Sequence, residues 1–118
     1  MSNRMFRRSD VITATIAKDA ALSGAFDFSF YSEMVITLPA VWTAADIGFY
    51  VSTTLAGTFT PLYDSEAVLV EIGTPIASES IAAPAGVAGA RFVKIWSESG
   101  AVDAAQAAAR VLTITMKA

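Results

Sequence analysis

The 118-residue sequence contains no cysteine and no histidine. Without them, disulfides, thiol nucleophiles, imidazole general bases and the common zinc sites are all excluded. Side-chain amides are limited to Asn3 and Gln106, which leaves little for amide-based recognition of sugars. These absences argue against an enzyme, and the sequence predicts no catalytic residue, no metal ligand and no cofactor.

Charged residues are also scarce, at 16% of the sequence against about 25% in typical globular domains. Hydrophobic residues make up 54%, and alanine accounts for part of that figure. No stretch approaches the roughly 20 continuous apolar residues of a membrane span, so a membrane partner is not predicted. A small protein with so few charges is expected to cover part of its surface with another protein.

The positive charges are concentrated at the N-terminus. The first eight residues hold three arginines and two large apolar side chains: Arg4, Met5, Phe6, Arg7 and Arg8. The rest of the chain has five basic and eleven acidic side chains and no basic stripe, which argues against nucleic-acid binding. We therefore predict that residues 1–10 form a basic arm whose arginines pair with carboxylates of a neighbouring protein. The alternative is that the arm folds back on its own acidic domain.

Apolar and polar residues alternate with a period of two through most of the chain, which is the pattern of half-buried β-strands. Phe26, Phe28 and Phe30 share one face in this way, and Thr113 and Thr115 face outward from the last strand. The predicted strands are 11–17, 25–31, 33–38, 46–52, 67–72 and 110–117, with weaker candidates at 58–63 and 91–97. Glycine, proline and serine separate these short segments.

The strand pattern predicts an all-β fold, a jelly-roll-like antiparallel β-sandwich of seven to eight short strands. Residues 11–118 would form this sandwich as a single domain. Residues 101–109 have helical composition but no periodic apolar face, so we interpret them as a loop with room for one helical turn. Residues 73–90 are rich in small residues and are predicted to be a long loop, either flexible or a contact loop.

Trp42 precedes a T-A-A-D segment in which Thr43 can cap one helical turn, with Asp46 at the third following position. Such a turn places the indole ring over the end of the sandwich, so Trp42 is predicted to be a structural core residue. The alternative is a sugar-stacking platform, which would need exposed aromatic neighbours such as Tyr50 or Tyr63.

Segment 91–97, RFVKIWS, has no polar face. Val93 and Ile95 point to one side, and the other side carries Phe92, Lys94 and Trp96. A strand that is apolar on both sides needs cover on both sides, either from its own chain or from a neighbour. Phe92, Lys94 and Trp96 are therefore predicted as interface candidates.

Carboxylates follow no recognisable site motif. Asp64, Glu66, Glu79 and Glu98 are interpreted as turn or solvated-edge residues, because nothing in the sequence brings two of them together. A glycosidase would need two facing carboxylates in a cleft. Neither a D-x-D-x-D-G calcium loop nor a phosphate-binding glycine motif is present.

Four segments carry a family resemblance: TIAKDAALSGAFDFS, ITLPAVWTAADIGFYVSTTLAGTFTPLYD, ARFVKIWSESG and VLTITMK. They resemble small β-sandwich proteins encoded among the head genes of tailed phages, and they span roughly residues 11–117. The most specific part is P-x-x-W-T-A-A-x-x-x-F-x-x-S, formed by Pro39, Trp42, Thr43, Ala44, Ala45, Phe49 and Ser52. Many such sequences continue with an S-x-D-G turn, whereas residues 52–57 read STTLAG here. The missing aspartate removes a possible carbohydrate or calcium contact.

Such head proteins include capsid decoration, or cement, proteins, and the resemblance implies a non-enzymatic virion protein on the capsid surface. Its partners would be the major capsid protein and copies of itself in a homotrimer. The alternative function is a carbohydrate-binding β-sandwich module of a virion fibre or cell surface.

Overall fold

A computed structural model describes residues 8–118, which form two antiparallel β-sheets enclosing one apolar core. The strands are β1 (Ser9–Ile16), β2 (Phe26–Asp27), β3 (Glu33–Thr37), β4 (Asp46–Ser52), β5 (Thr60–Pro61), β6 (Glu71–Ile72), β7 (Ser80–Ala82), β8 (Phe92–Ser99), β9 (Val102–Asp103) and β10 (Arg110–Lys117). One 3₁₀ helix, Ala85–Gly89, lies between β7 and β8. No helix in this described part is long and apolar enough to cross a membrane.

The strand order is that of a jelly roll. One sheet runs β1-β10-β3-β7, and the other runs β2-β8-β4-β5, with β6 also paired to β4 and β9 to β8. β5 and β6 pair with opposite ends of β4 and act as one interrupted strand. Setting aside the small β8–β9 hairpin, the eight strands cross from one sheet to the other at every connection except the one from β4 to β5, as in double Greek-key sandwiches. The predicted all-β, jelly-roll-like fold is confirmed, with ten short strands instead of seven or eight.

The core lies between the sheets and follows the period-two pattern. Ile36 of β3 and Ile114 of β10 are paired neighbours and fully buried. Phe49 of β4 and Ile95 of β8 form the equivalent pair in the second sheet and are also fully buried. Because alternate side chains point to opposite faces, the same strands expose a second set of residues on the outside of each sheet.

Several predicted boundaries differ from the structure. β1 begins at Ser9, so the last two residues assigned to the arm are strand residues that pair with β10. β2 ends at Asp27, and Phe30, predicted to share the buried face of Phe26, is 63% exposed in a turn. Val68 lies in the predicted strand 67–72, where alternation would turn it inward with the buried Val70, but it is 58% exposed. In both cases a turn changes the chain direction and ends the alternation.

The two predicted loops contain regular structure. Residues 73–90 include β7, which completes the four-stranded sheet, and the 3₁₀ helix that buries Val87. Residues 101–109 include β9 and the fully buried Gln106. The Gln106 amide accepts from the backbone N–H of Thr43 at 2.9 Å and donates to Ser97 Oγ at 2.9 Å. These hydrogen bonds fix residues 101–109 to the 39–46 segment. The loop is therefore ordered without an apolar face of its own.

Candidate functional site

The outer face of the four-stranded sheet is uncharged over two complete rows of side chains. The strand register aligns small or β-branched residues across all four strands. One row is Thr13, Thr113, Thr37 and Ser80, the next is Val11, Thr115, Val35 and Ala82, and Thr15 with Val111 extends the pattern. We call these ten residues the threonine–valine face. The sequence predicts that Thr113 and Thr115 face outward from the last strand, but the rows form only through the register between strands.

Several apolar members of this face are open to solvent. Val11 is 64% exposed and Val111 is 49% exposed. The Thr37 and Ser80 hydroxyls hydrogen-bond to each other at 2.7 Å. The nearest charges within the sheet lie at one end, where Lys117 of β10 pairs with Glu33 of β3. The result is a surface on which no charged side chain needs a partner of opposite charge.

The outer face of the six-stranded sheet is different, because it carries charges and is covered by its own chain. Trp96, predicted as an interface residue, is 1% exposed, so it is buried on this outer face and not in the core between the sheets. Its Nε1 donates to Asp103 Oδ1 at 2.8 Å, and its ring meets Tyr50 edge-on at a centroid distance of 4.8 Å. The second apolar face of β8 is thus covered at Trp96 by residues of β4 and β9 in the same chain. Trp96 is therefore not an interface candidate.

Phe92 and Lys94, the other two candidates on this strand, are half-buried. The Lys94 ammonium lies 4.6 Å from the ring centroid of Phe59, and the Arg91 guanidinium carbon lies 5.8 Å from that of Phe92. Lys94 and Phe92 therefore each make a cation–π contact with another side chain of the same chain. They retain exposed surface, and their role in an interface stays a prediction.

The predicted arm falls mostly outside the described residues, which exclude Arg4, Met5, Phe6 and Arg7. Arg8 is described and contacts its own chain. Its Nε donates to Asp10 Oδ2 at 3.0 Å, and its guanidinium carbon lies 5.1 Å from the Phe30 ring centroid and 5.4 Å from that of Tyr31. The Tyr31 hydroxyl donates to the same Asp10 oxygen. Hydrogen bonds from Tyr31 and then from Arg8 lower the pKa of Asp10.

Trp42 is half-buried and packs against the edge of the core. Its Nε1 donates to the backbone carbonyl of Ala45 at 3.2 Å, which closes the turn before β4. The indole is therefore a cover over the core and not a fully enclosed plug. Between the two tryptophans, Trp96 is the more deeply buried.

Three carboxylates converge beside Trp96 at one end of the six-stranded sheet. Asp46 of β4 is the direct cross-strand partner of Glu98 of β8, and Glu71 of β6 pairs with Gly48 of β4. One oxygen from each of Asp46, Glu71 and Glu98 lies within 4.8 Å of the others. We call these three residues the carboxylate cluster. It comes from strands far apart in sequence, so no local motif could reveal it.

Glu98, interpreted from sequence as a turn or solvated-edge residue, is fully buried. Its Oε1 accepts from the backbone N–H of Ala101 at 3.0 Å. Burial raises the pKa of Glu98 to about 7, supported by hydrogen bonding to Glu71 and by repulsion from Glu71 and Asp46. In the sequence, Glu98 directly follows the apolar strand 91–97, and alternation places its side chain on the outer face of the sheet. Its burial depends on pairing between β8 and β4, which the sequence alone does not reveal.

No protein-family model and no curated protein matches this sequence. The crystal structure of the SPBc2 prophage-derived protein YomS is similar to the chain, with a TM-score of 0.64 and 100% of both chains covered. The two sequences are 14% identical. What they share is the fold, a β-rich architecture.

Proposed function

We propose that this protein is a structural component of a phage virion, a decoration or cement protein that binds the outer surface of the capsid and braces contacts between capsomers. Its partners are the major capsid protein and, in a homotrimer, copies of itself. It acts by adhesion and not by catalysis. Similarity in fold to a prophage-derived protein supports the phage context.

The threonine–valine face is the observation that carries the proposal. Protein interfaces are depleted of charge at their centres, and this face has no charge over two rows and four strands. β-branched side chains on a sheet are also stiff, so little side-chain entropy is lost when they are covered. The face is therefore suited to broad, flat contact with another protein.

The size of this face sets the strength of one contact. With strands about 4.8 Å apart and about 3.4 Å per residue, four strands over five residues give roughly 300 Å². A standard interface buries about 800 Å² on each partner, so the face supplies less than half of one side. A single copy is expected to bind weakly, and a trimer with three such contacts gains through effective concentration.

The carbohydrate-binding alternative has less support. A stacking platform needs an exposed aromatic face, but Trp96 is buried and the Trp42 ring packs partly against the core. Gln106, one of the two side-chain amides in the sequence, is also fully buried.

The direct test places a charge in the centre of the face. Thr113→Arg introduces a cation into the first row, on the inner strand β10, and Thr58→Arg makes the same change at an exposed residue off this face. Binding is measured by co-sedimentation with capsids assembled without the protein, and bound density is located by electron microscopy. We expect Thr113→Arg to lower occupancy at least about tenfold, because burying an unpaired charge is costly, and Thr58→Arg to bind like the parent.

Equal binding by both variants, with parent-like melting temperatures, would show that this face does not contact the capsid. Sedimentation of the free parent protein tests the trimer separately. An ideal monomer at high concentration that also fails to bind such capsids would contradict the proposed function as a whole.

A further inference from the structure

The carboxylate cluster holds more negative charge than its protein environment compensates. Among residues 8–118, the ion pair between Arg8 and Asp10 is remote from it, and no lysine or arginine pairs with Asp46, Glu71 or Glu98. Three carboxylate oxygens within 4.8 Å of one another repel strongly where burial excludes water. An arrangement of this kind is stable only if a positive charge or shared protons lie among the oxygens.

A second observation points to a ligand at the same place. Glu98 is fully buried, yet apart from the contact with Glu71 its Oε2 receives no hydrogen bond from the described residues, and neither does the buried Glu71 Oε1. Buried carboxylate oxygens are rarely left unsatisfied in native proteins, and each such case calls for an explanation. Both unsatisfied atoms belong to the cluster, so one bound species could satisfy both.

The backbone holds these oxygens in place. Glu98 lies over Gly48, where a Cβ atom would come within 3.2 Å of Glu98 Cγ, so the missing side chain provides the space for the glutamate. The backbone N–H of Thr74 donates to Asp46 Oδ1 at 2.8 Å and orients that carboxylate. Asp46 and Glu71 are half-buried, which leaves the cluster open to solvent on one side.

We propose that Asp46, Glu71 and Glu98 bind one divalent cation, with calcium the best fit. Calcium takes oxygen ligands at about 2.3–2.6 Å, so two oxygens on opposite sides of the ion are about 5 Å apart. The separations in the cluster fall within that limit. Water completes the coordination on the open side. The ion would link β4, β6 and β8 and so fix the two-residue strand β6 to its sheet.

The experiment compares the full chain with Glu98→Gln and with Glu66→Gln, which removes the same charge from an exposed turn. Each protein is stripped with a chelator, and its melting temperature is measured with and without about 10 mM Ca²⁺, Mg²⁺ or Mn²⁺. If calcium binds with a Kd near 0.1 mM, the parent should melt roughly 10 °C higher with calcium. We expect Glu66→Gln to behave like the parent and Glu98→Gln to lose at least about nine-tenths of the shift.

A second readout does not depend on stability. Trp96 shares the space above Gly48 with Glu98, so a terbium ion in the site should emit when tryptophan is excited. Calcium should displace it, and Glu98→Gln should bind it at least about a hundredfold more weakly, in line with the loss of most of the thermal shift. Glu98→Gln should still fold in chelator, because the substitution removes a buried charge and keeps the shape of the side chain.

Two results would overturn the proposal. One is a parent protein whose melting temperature and terbium emission respond to none of the metals, in which case Glu71 and Glu98 share a proton. The other is a calcium response that survives unchanged in Glu98→Gln, which would place the ion elsewhere.

Discussion

Trp96 owes its burial to the absence of a side chain at Gly48. The two residues are direct cross-strand partners, and a Cβ atom on Gly48 would lie 2.7 Å from Trp96 Cε3. The indole therefore lies flat against β4, where Tyr50 closes one side and Asp103 accepts its N–H. Gly48 is needed because the Trp96 ring packs closely against its backbone, and not because its backbone adopts a conformation that only glycine can reach.

This difference in burial predicts the order of two alanine substitutions. Trp96→Ala should lower the free energy of unfolding by about 3–5 kcal/mol, because it empties an enclosed site. Trp42→Ala should cost about 1–2 kcal/mol, since only part of that ring leaves a buried contact. Urea unfolding at equal protein concentration measures both. An equal or larger loss for Trp42→Ala would mean that the turn before β4 holds the core together more than its burial indicates.

Because of Asp10, the free energy of unfolding should depend on pH in the acid range. Its pKa is lowered in the folded state by Tyr31 and Arg8, so its contribution is present above the ordinary value near 3.8 and is lost as the pH falls through the folded-state pKa. We expect the parent to be more stable than Asp10→Asn at neutral pH and the gap to close below about pH 4. Urea midpoints across the acid range test this, and a gap that stays constant down to about pH 2 would contradict it.

At the scale of elements, the N-terminal arm is predicted to serve assembly and not folding. Deleting residues 2–7 keeps Arg8 and its contacts with Asp10 and Tyr31. The melting temperature should then change little, while occupancy on capsids falls and becomes more sensitive to salt, because arginine–carboxylate pairs are lost from the contact. A truncated protein that melts lower but binds capsids normally would identify the arm as an internal strap.

Strands with clear alternation could be predicted from the sequence, and the short strands β7 and β9 could not. β4 and β10 have seven and eight residues with clear alternation, and both were predicted within one residue. β7 and β9 have three and two residues, too few for a period to be recognised, and they form because neighbouring strands offer backbone partners. The cluster and the threonine–valine face depend on register between distant strands, which no single segment encodes.

For the molecule as a whole, the two outer sheet faces have opposite characters. The threonine–valine face is uncharged and partly exposed, and the opposite face carries Lys94, Asp46, Glu71 and the buried Glu98. If the threonine–valine face is the capsid contact, as proposed, the protein binds the capsid in a single orientation. The charged side would then face solvent, and the proposed ion would lie away from the capsid contact.

The pairing of the first and last strands also decides how the molecule responds to force. Ser9 lies opposite Lys117, and Arg8 accepts a hydrogen bond from the backbone N–H of Ala118 at 2.8 Å, so the described chain starts and ends at the same corner. Tension applied through these two ends would separate β1 from β10 one residue pair at a time. Eight pairs that open in sequence resist far less load than eight that must shear together. Attachments at both ends of the chain would therefore peel the sandwich open, whereas a load spread over the sheet face would leave that seam closed.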